Sequence, residues 1–349
     1  AIAKTPTVTD RTATKYDVED MQNYIDATMA TLAGTYNAAD FATVRPVTST
    51  PEDPVFFYIR NVRRNGQYAN YTGNADYQSQ IAADATPSLE NMYYFVADGV
   101  ADANGYVPVK IYNAASGGAC FCDFNDWNAV GRDWYLFSNP NNDGKGLAVC
   151  KVTDINNDQC WNDNGGTAVK AWKAAGDAGS VWTFEPVMLE NYPETAVFTY
   201  NHKIDGETVF TEKALAIVGQ SAPAPAKQQA TPVYVSAETP NAVVTGDATF
   251  DIDDTVTTPF QASTVDNPIW YNLKMREDDP GYGEYMFADF ANNQIGLTAE
   301  IENDDCPYLW AFVGNPYEGY QVLNFAAGKG QYLGEGDKAC MGDDAAFRW

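Results

Sequence analysis

Residues 106–141 read YVPVKIYNAASGGACFCDFNDWNAVGRDWYLFSNPN. A β-branched run through Ile111 and Tyr112 stops at a small-residue turn, and a second apolar run crosses Cys120 and Phe121. A long polar loop follows, and then a short aromatic strand, Trp134 to Phe137, that ends at Asn139-Pro140. Strand, turn, strand, loop and closing aromatic strand is an all-β phrase, and its recurrence decides the fold.

The phrase recurs on both sides. VFFYIRNVRRNGQYANYTG (55–73) opens a unit that closes on MYYFVADG (92–99), and GLAVCKVTDINNDQCWND (146–163) opens one that closes on VWTFEPV (181–187). The closing residues Phe95, Phe137 and Phe184 lie roughly 40 to 47 residues apart, a period that signals repeat architecture. Propeller blades have a similar period but need more repeats to close a ring, and their Gly-His and Trp-Asp signatures are missing. Three units, each ending in an aromatic aimed at a common axis, predict a β-trefoil over 54–187. In that fold three strand pairs form a barrel and the others cap it, so no edge strand is left bare.

After this region the pattern changes and then returns. AVFTYNHKIDGETVFTEKALAIVG (196–219) reads as a hairpin around Asp205-Gly206, a favoured two-residue turn. With the strands that follow, it predicts a small β-sandwich-like domain over 188–266. The repeat restarts at IWYNLKM (269–275), pairs with EYMFADF (284–290) and closes on YLWAFVGNP (308–316). YQVLNFAAGKGQYLG (320–334) opens another unit, giving a second, incomplete β-trefoil over 267–349 with two of three repeats. Either the chain is a fragment of a longer protein or the second trefoil is naturally incomplete; the fragment is the favoured reading, because two-thirds of a barrel leaves strand edges exposed. Residues 1–53 hold one helix and an extended Thr/Pro-rich linker. Val18, Met21, Ile25, Met29 and Leu32 form a one-sided stripe that predicts the packing face of that helix.

Composition narrows the partners. The chain has 349 residues, of which 45% are hydrophobic and 13% aromatic, enough to bury cores in two or three domains. Its net charge of −26 opposes phosphate and anionic membrane surfaces, so nucleic acid and lipid are excluded as partners. A neutral ligand such as a glycan suits it. The N-terminus lacks a signal-peptide pattern, so the expectation is that a targeting segment has been removed or that the chain is an internal fragment. Six Cys accompany a single His, so a zinc site is poorly supplied, and Cys150 with Cys160 and Cys306 with Cys340 are the disulfide candidates. Disulfides place the chain outside the cytoplasm, at the cell surface or in the extracellular space.

Several of these stretches carry a resemblance. FFYIRNVRRNGQYANYTG, GYVPVKIYN, the hairpin at 196–219 and the LWAFVGNPY phrase resemble modular surface or secreted proteins of gut and oral Bacteroidota. Those proteins carry ricin-type-like β-trefoil modules separated by a small β domain. The resemblance implies a non-catalytic, often carbohydrate-binding accessory region, sitting beside further domains of a longer polypeptide. The closing strands here read YYF, WYLF, VWTF and WAF in place of the Gln-x-Trp of ricin-type repeats.

The chemistry fits that picture. His202 lies in a hairpin with no nucleophile motif near it and reads as an exposed strand residue, so no triad is expected and no enzyme activity. Asp154, Asn156 and Asp158 alternate as in a calcium loop, but Gln159 stands where the loop needs Gly and Gly165 where it needs Glu. The segment reads as a hairpin turn, and no metal or other cofactor is expected. A sugar site needs an aromatic platform with carboxylates and amides around it. Asp123, Asp126, Trp127 and Asn128 form one candidate, and Trp161, Asn162 and Asp163 another. The competing reading is a structural spacer or protein-interaction module with no small ligand, in which Trp127 and Trp161 are buried. Trp134, Trp182 and Trp310, in closing strands, are expected in the core.

Overall fold

The structure is a computed structural model that describes residues 15–73, 79–82, 87–99, 106–124, 126–128, 131–138, 146–152, 154, 156–157, 159–165, 168–225, 234–235, 243–256, 260–276, 281–301, 306–334 and 341–343. Apart from one helix and short 3₁₀ turns, the regular elements among these residues are strands. The chain divides into two compact units. One comprises Ala1–Tyr200, Glu212–Ala230 and Glu238–Phe250, and the other Asn201–Thr211, Thr231–Ala237 and Asp251–Trp349.

In the first unit, helix α1 (Lys15–Leu32) precedes twelve strands in three sets of four. They are β1 (Phe57–Asn61), β2 (Gln67–Tyr71), β3 (Ser79–Ala82) and β4 (Met92–Ala97); β5 (Val109–Asn113), β6 (Cys120–Asp123), β7 (Asp126–Asn128) and β8 (Tyr135–Ser138); and β9 (Leu147–Cys150), β10 (Cys160–Asn162), β11 (Lys170–Trp172) and β12 (Trp182–Pro186). Six of them pair in a closed circuit. Strand β1 meets β4 at Phe57 and Tyr93, β4 meets β5 at Phe95 and Ile111, and Val109 of β5 bridges Trp134 at the start of β8. The circuit runs on from β8 to β9 (Leu136 opposite Val149) and from β9 to β12 (Leu147 opposite Trp182), and β12 returns to β1 (Phe184 opposite Ile59). Each of these six strands has two neighbours, so the circuit presents no open edge. Three hairpins, β2–β3, β6–β7 and β10–β11, branch from β1, β5 and β9.

Alternation along the strands decides which side chains fill the circuit, since successive residues point to opposite faces. Tyr93 and Phe95, Trp134 and Leu136, and Trp182 and Phe184 all enter one buried cluster. The expectation for Phe137 is thereby corrected. It is one residue out of phase, so Leu136 takes the inward place, and Phe137 packs on the other face with Cys150, Cys160 and Tyr106. The stripe expected on α1 is corrected too. The helix buries Tyr24, Ala27 and Thr28, with Met21 against the core, and leaves Val18, Ile25, Met29 and Leu32 exposed. Tyr24 sets its direction, meeting the Phe57 ring edge-on at 5.7 Å between centroids.

In residues 188–266, β13 (Thr195–Ile204) and β14 (Glu207–Ile217) form the hairpin around Asp205-Gly206. With β16 (Ala248–Asp253) they make a three-stranded sheet, while β15 (Tyr234–Val235) pairs with β17 (Thr255–Val256). In the second unit β18 (Tyr271–Asn272) pairs with β21 (Leu309–Asn315), and β19 (Tyr285–Asp289) with β20 (Gln294–Thr298). Strand β21 also pairs with β22 (Gly319–Asn324), followed by β23 (Tyr332–Leu333) and β24 (Met341–Gly342). Trp310 is fully buried there among Ala288, Val322 and Leu333, as Trp134 and Trp182 are buried in the first unit.

One buried contact recurs in both units. Asn61, Asn113 and Asn324 end the opening strands β1, β5 and β22, opposite Trp182, Tyr93 and Trp310. Each side-chain amide donates to the carbonyl of a short 3₁₀ turn just before a closing strand: Asn61 to Gly179 (2.9 Å), Asn113 to Glu90 (2.9 Å) and Asn324 to Pro307 (2.8 Å). Each Oδ1 accepts a backbone N–H in the turn that follows, from Arg64, Ala115 and Ala326. A buried turn that leaves the ladder must find partners for its backbone groups, and here one amide serves both ends.

Candidate functional site

The predicted loop residues fall into two groups. Asp123, Asp126 and Asn128 lie on the β6–β7 hairpin at the surface. Asp123 accepts the Phe124 N–H (2.7 Å) and pairs with Lys151 at 3.0 Å, while Asp126 accepts from Asn128 Nδ2 at 2.8 Å. Trp127 between them is only 8% exposed and packs edge-on against Tyr71 and Phe121 at 5.0 and 5.3 Å. It has no open face for a pyranose.

The second group is interior throughout. Trp161 is fully buried against Phe121, Trp134 and Trp182, and its carbonyl accepts the Trp182 indole N–H at 3.0 Å. Asn162 donates to Ser180 Oγ at 2.8 Å. Asp163, also fully buried, accepts from Arg63 Nε (2.8 Å) and Arg64 Nε (2.7 Å). These three residues brace the core, because the hairpin strand that carries them turns inward beneath the closing strand β12. Neither Trp127 nor Trp161 is a platform for a sugar in this structure.

The cysteines divide likewise. Cys150 and Cys160 are joined by a disulfide that ties β9 to β10. Cys340, the expected partner of Cys306, lies outside the described residues. In the hairpin turn between β9 and β10, Asp154 Oδ1 accepts from the Asn156 backbone (2.9 Å) and side chain (3.2 Å), a local turn needing no ion; Asp158 lies outside the described residues. Among the described residues no group of three or more His, Cys, Asp or Glu is placed to hold a metal ion.

A different cleft has the needed composition. It is in the second unit, about 350 Å³ in volume, beside the Asn315-Pro316 turn of the LWAFVGNPY phrase. The aromatic wall is half-buried Phe260, with Tyr320, only 9% exposed, behind it. The Phe260 ring stacks on Phe312 (3.9 Å, 13° between planes) and meets Tyr320 edge-on (5.1 Å, 86°). Residues 260–263 are held along β21, where the Ser263 N–H donates to the Phe312 carbonyl at 2.8 Å. Polar groups come from Asp205 in the hairpin turn, exposed Gln261, and Asn315. Asn315 Oδ1 accepts the N–H groups of Tyr317 and Glu318 (2.9 and 3.1 Å), and its Nδ2 donates one proton to Glu318 Oε2 at 3.4 Å, so the second Nδ2 proton is the one that can donate outward. Gly314 is required at the rim: its φ is +136°, and a Cβ there would lie 2.3 Å from the Gly319 carbonyl oxygen.

Behind this turn stands a buried polar cluster. His202 Nδ1 lies 3.0 Å from Asp254 Oδ2, and the Tyr317 hydroxyl donates to the same oxygen. Phe210 stacks parallel to the Tyr317 ring at 5.4 Å. The expectation that His202 is an exposed strand residue is therefore corrected. Ala196, Phe198, Tyr200 and His202 alternate inward along β13 and are all buried. That alternation is visible in AVFTYNH and extends to the His. Enclosed on all sides, His202 cannot reach a substrate; it ties the hairpin tip to the turn that forms the cleft.

Comparison with known proteins gives little beyond this. No protein-family profile matches the chain. No curated protein sequence matches it either. Among solved structures it is similar to a mosquitocidal holotoxin, with 11% identity and a TM-score of 0.30 over 82% of this chain, and to a GlcNAcα1-4Gal-releasing endo-β-galactosidase from Clostridium perfringens, with 10% identity and a TM-score of 0.18 over 85%. The chain spans 32% of the length of the first and 66% of the second.

Proposed function

We propose that this chain is a non-catalytic accessory region of a secreted or cell-surface protein and that it binds carbohydrate. In this reading the first unit is a β-trefoil, supported by its six-strand circuit with three branching hairpins, and the second unit is built from two repeats of the same kind. The observation that carries the binding reading is the cleft beside Asn315-Pro316, where half-buried Phe260 meets Asp205, Gln261 and Asn315. Aromatic faces with a few fixed polar groups are what a sugar ring requires. The disulfide and the strongly acidic composition suit an extracellular setting. Further domains of a longer polypeptide complete the picture, the chain acting as their targeting arm.

The spacer reading is favoured for the first unit alone, because both of its candidate indoles are built into the core. Binding of the whole chain to a glycan array or affinity gels, compared with Phe260→Ala, tests the proposal. Binding lost in that variant supports it, and a blank array with folded protein removes it.

A further inference from the structure

Resting on the carbohydrate reading, we infer that the cleft of the second unit takes a neutral 2-acetamido sugar, an N-acetylhexosamine. Two features of its walls point there. The first is charge: among the described residues lining the cleft, Asp205 bears the only charged side chain, and no Lys, Arg or His faces it. The chain as a whole carries −26. Uronate, sialate or sulfate groups would enter against a carboxylate with no cation to receive them.

The second feature is an apolar surplus. A plain hexose presents one C–H face, which a single aromatic ring covers. Here the half-buried Phe260, with Tyr320 edge-on to it, shares the lining with Ile204, Val209, Ala262 and Pro316. Hydroxyls pressed against those aliphatic groups would lose water without gaining a partner. A methyl-terminated substituent matches them. The acetamido group supplies that methyl together with one N–H and one C=O. Asp205 is an acceptor for the N–H, and the amides of Gln261 and Asn315 are donors for the C=O. At about 350 Å³ the cleft lies near the small end of ligand pockets, which run from about 300 to 1,000 Å³, so it suits a terminal sugar and not an extended chain.

The test is titration of the full chain, by calorimetry or ligand-observed NMR, with methyl glycosides of glucose, galactose, N-acetylglucosamine and N-acetylgalactosamine. Free glucosamine, methyl fucoside and sialyllactose are run beside them. At least one acetamido sugar is expected to bind about tenfold tighter than its parent hexose, a buried methyl and one amide hydrogen bond together accounting for that ratio. Raised salt should leave its affinity unchanged. Val209→Ser should bring the ratio close to one with an unaltered circular dichroism spectrum. If that variant misfolds, Gln261→Ala, at an exposed position, should lower the ratio in the same way. Equal affinity for parent and acetamido sugars overturns the inference but leaves the carbohydrate reading standing. Tightest binding of glucosamine, fucoside or sialyllactose does the same. Absence of binding by every sugar removes both.

Discussion

Asn324 faces Trp310 across the β21–β22 pair, and its amide closes the 3₁₀ turn that delivers Trp310 into the core. Asn113 stands in the same relation to Tyr93, and Asn61 to Trp182. The aromatic supplies buried area and the asparagine supplies hydrogen bonds for backbone that has left the ladder, so the two roles fall on opposite members of one cross-strand pair. At the β8–β9 junction the residue after Cys150 is Lys151, whose ammonium lies 5.8 Å from the Trp134 ring centroid. There a cation–π contact replaces the amide bridge.

Removing one of these amides strands a buried carbonyl and a buried N–H together. Asn113→Ala and Asn324→Ala should each cost about 2 kcal/mol of stability. Urea unfolding measures this as a lower midpoint at unchanged slope. A shift no larger than that of the exposed control Asn157→Ala would discount the bridge.

The two kinds of aromatic should separate by readout. Trp161→Ala opens a cavity in the first unit's core and should cost about 3–5 kcal/mol, with the ligand affinity of the folded protein unchanged. Phe260→Ala should lower affinity at least tenfold at a modest change in melting temperature. The reverse pattern, with Trp161→Ala folded but unable to bind, would return the site to the β10–β11 hairpin.

The Cys150–Cys160 bond closes a short loop with a sequence separation of 10. On the chain-entropy account its loss should cost about 3 kcal/mol. Thermal melts with and without reductant, alongside the Cys150→Ser, Cys160→Ser double variant, give the number. Identical melts in all three would mean that the bond contributes nothing to stability.

Stability should also fall in alkali. Burial pushes the Tyr58 hydroxyl up to about 12, and burial likewise raises Tyr93, Tyr94, Tyr112 and Tyr192. Groups kept protonated by the fold contribute stability that is complete below the unfolded tyrosine value of about 10 and is lost as pH rises through the folded values. Tyrosinate absorbance should therefore appear as a step coincident with loss of the near-ultraviolet dichroism. A gradual rise centred on pH 10 with the fold intact would contradict it.

Much of this architecture is legible in the sequence, and the misses share a cause. The runs MYYFVA, YLF, WTFEP and LWAFVGN are closing strands β4, β8, β12 and β21, because β-branched and aromatic runs bounded by turns leave few alternatives. What composition does not carry is phase. Phe137 looks equivalent to Phe95 and Phe184 until the alternation is counted from Trp134. His202 looks like a surface residue until it is counted from Ala196. On α1 the aliphatic stripe outweighs Tyr24 in any count of apolar positions, yet one tyrosine meeting Phe57 fixes which side faces inward. The candidate sites slipped for the same reason, since a Trp in an Asp/Asn-rich loop looks displayed whichever way its strand points. The cleft of the second unit draws its walls from residues 204–209, 260–262 and 314–320, stretches that adjacency in the chain could not bring together.

The pairing of β12 with β1 has one more consequence. Because Phe57 lies directly opposite Pro186, the first and last strands of the twelve-stranded sheet are neighbours in the same ladder. A short peptide would join them, and reopening the chain before β5 or before β9 would break no strand pair among the described residues. Circular permutants of the twelve-stranded sheet cut at those points should keep the same ladder, the chain entering and leaving it through one doorway.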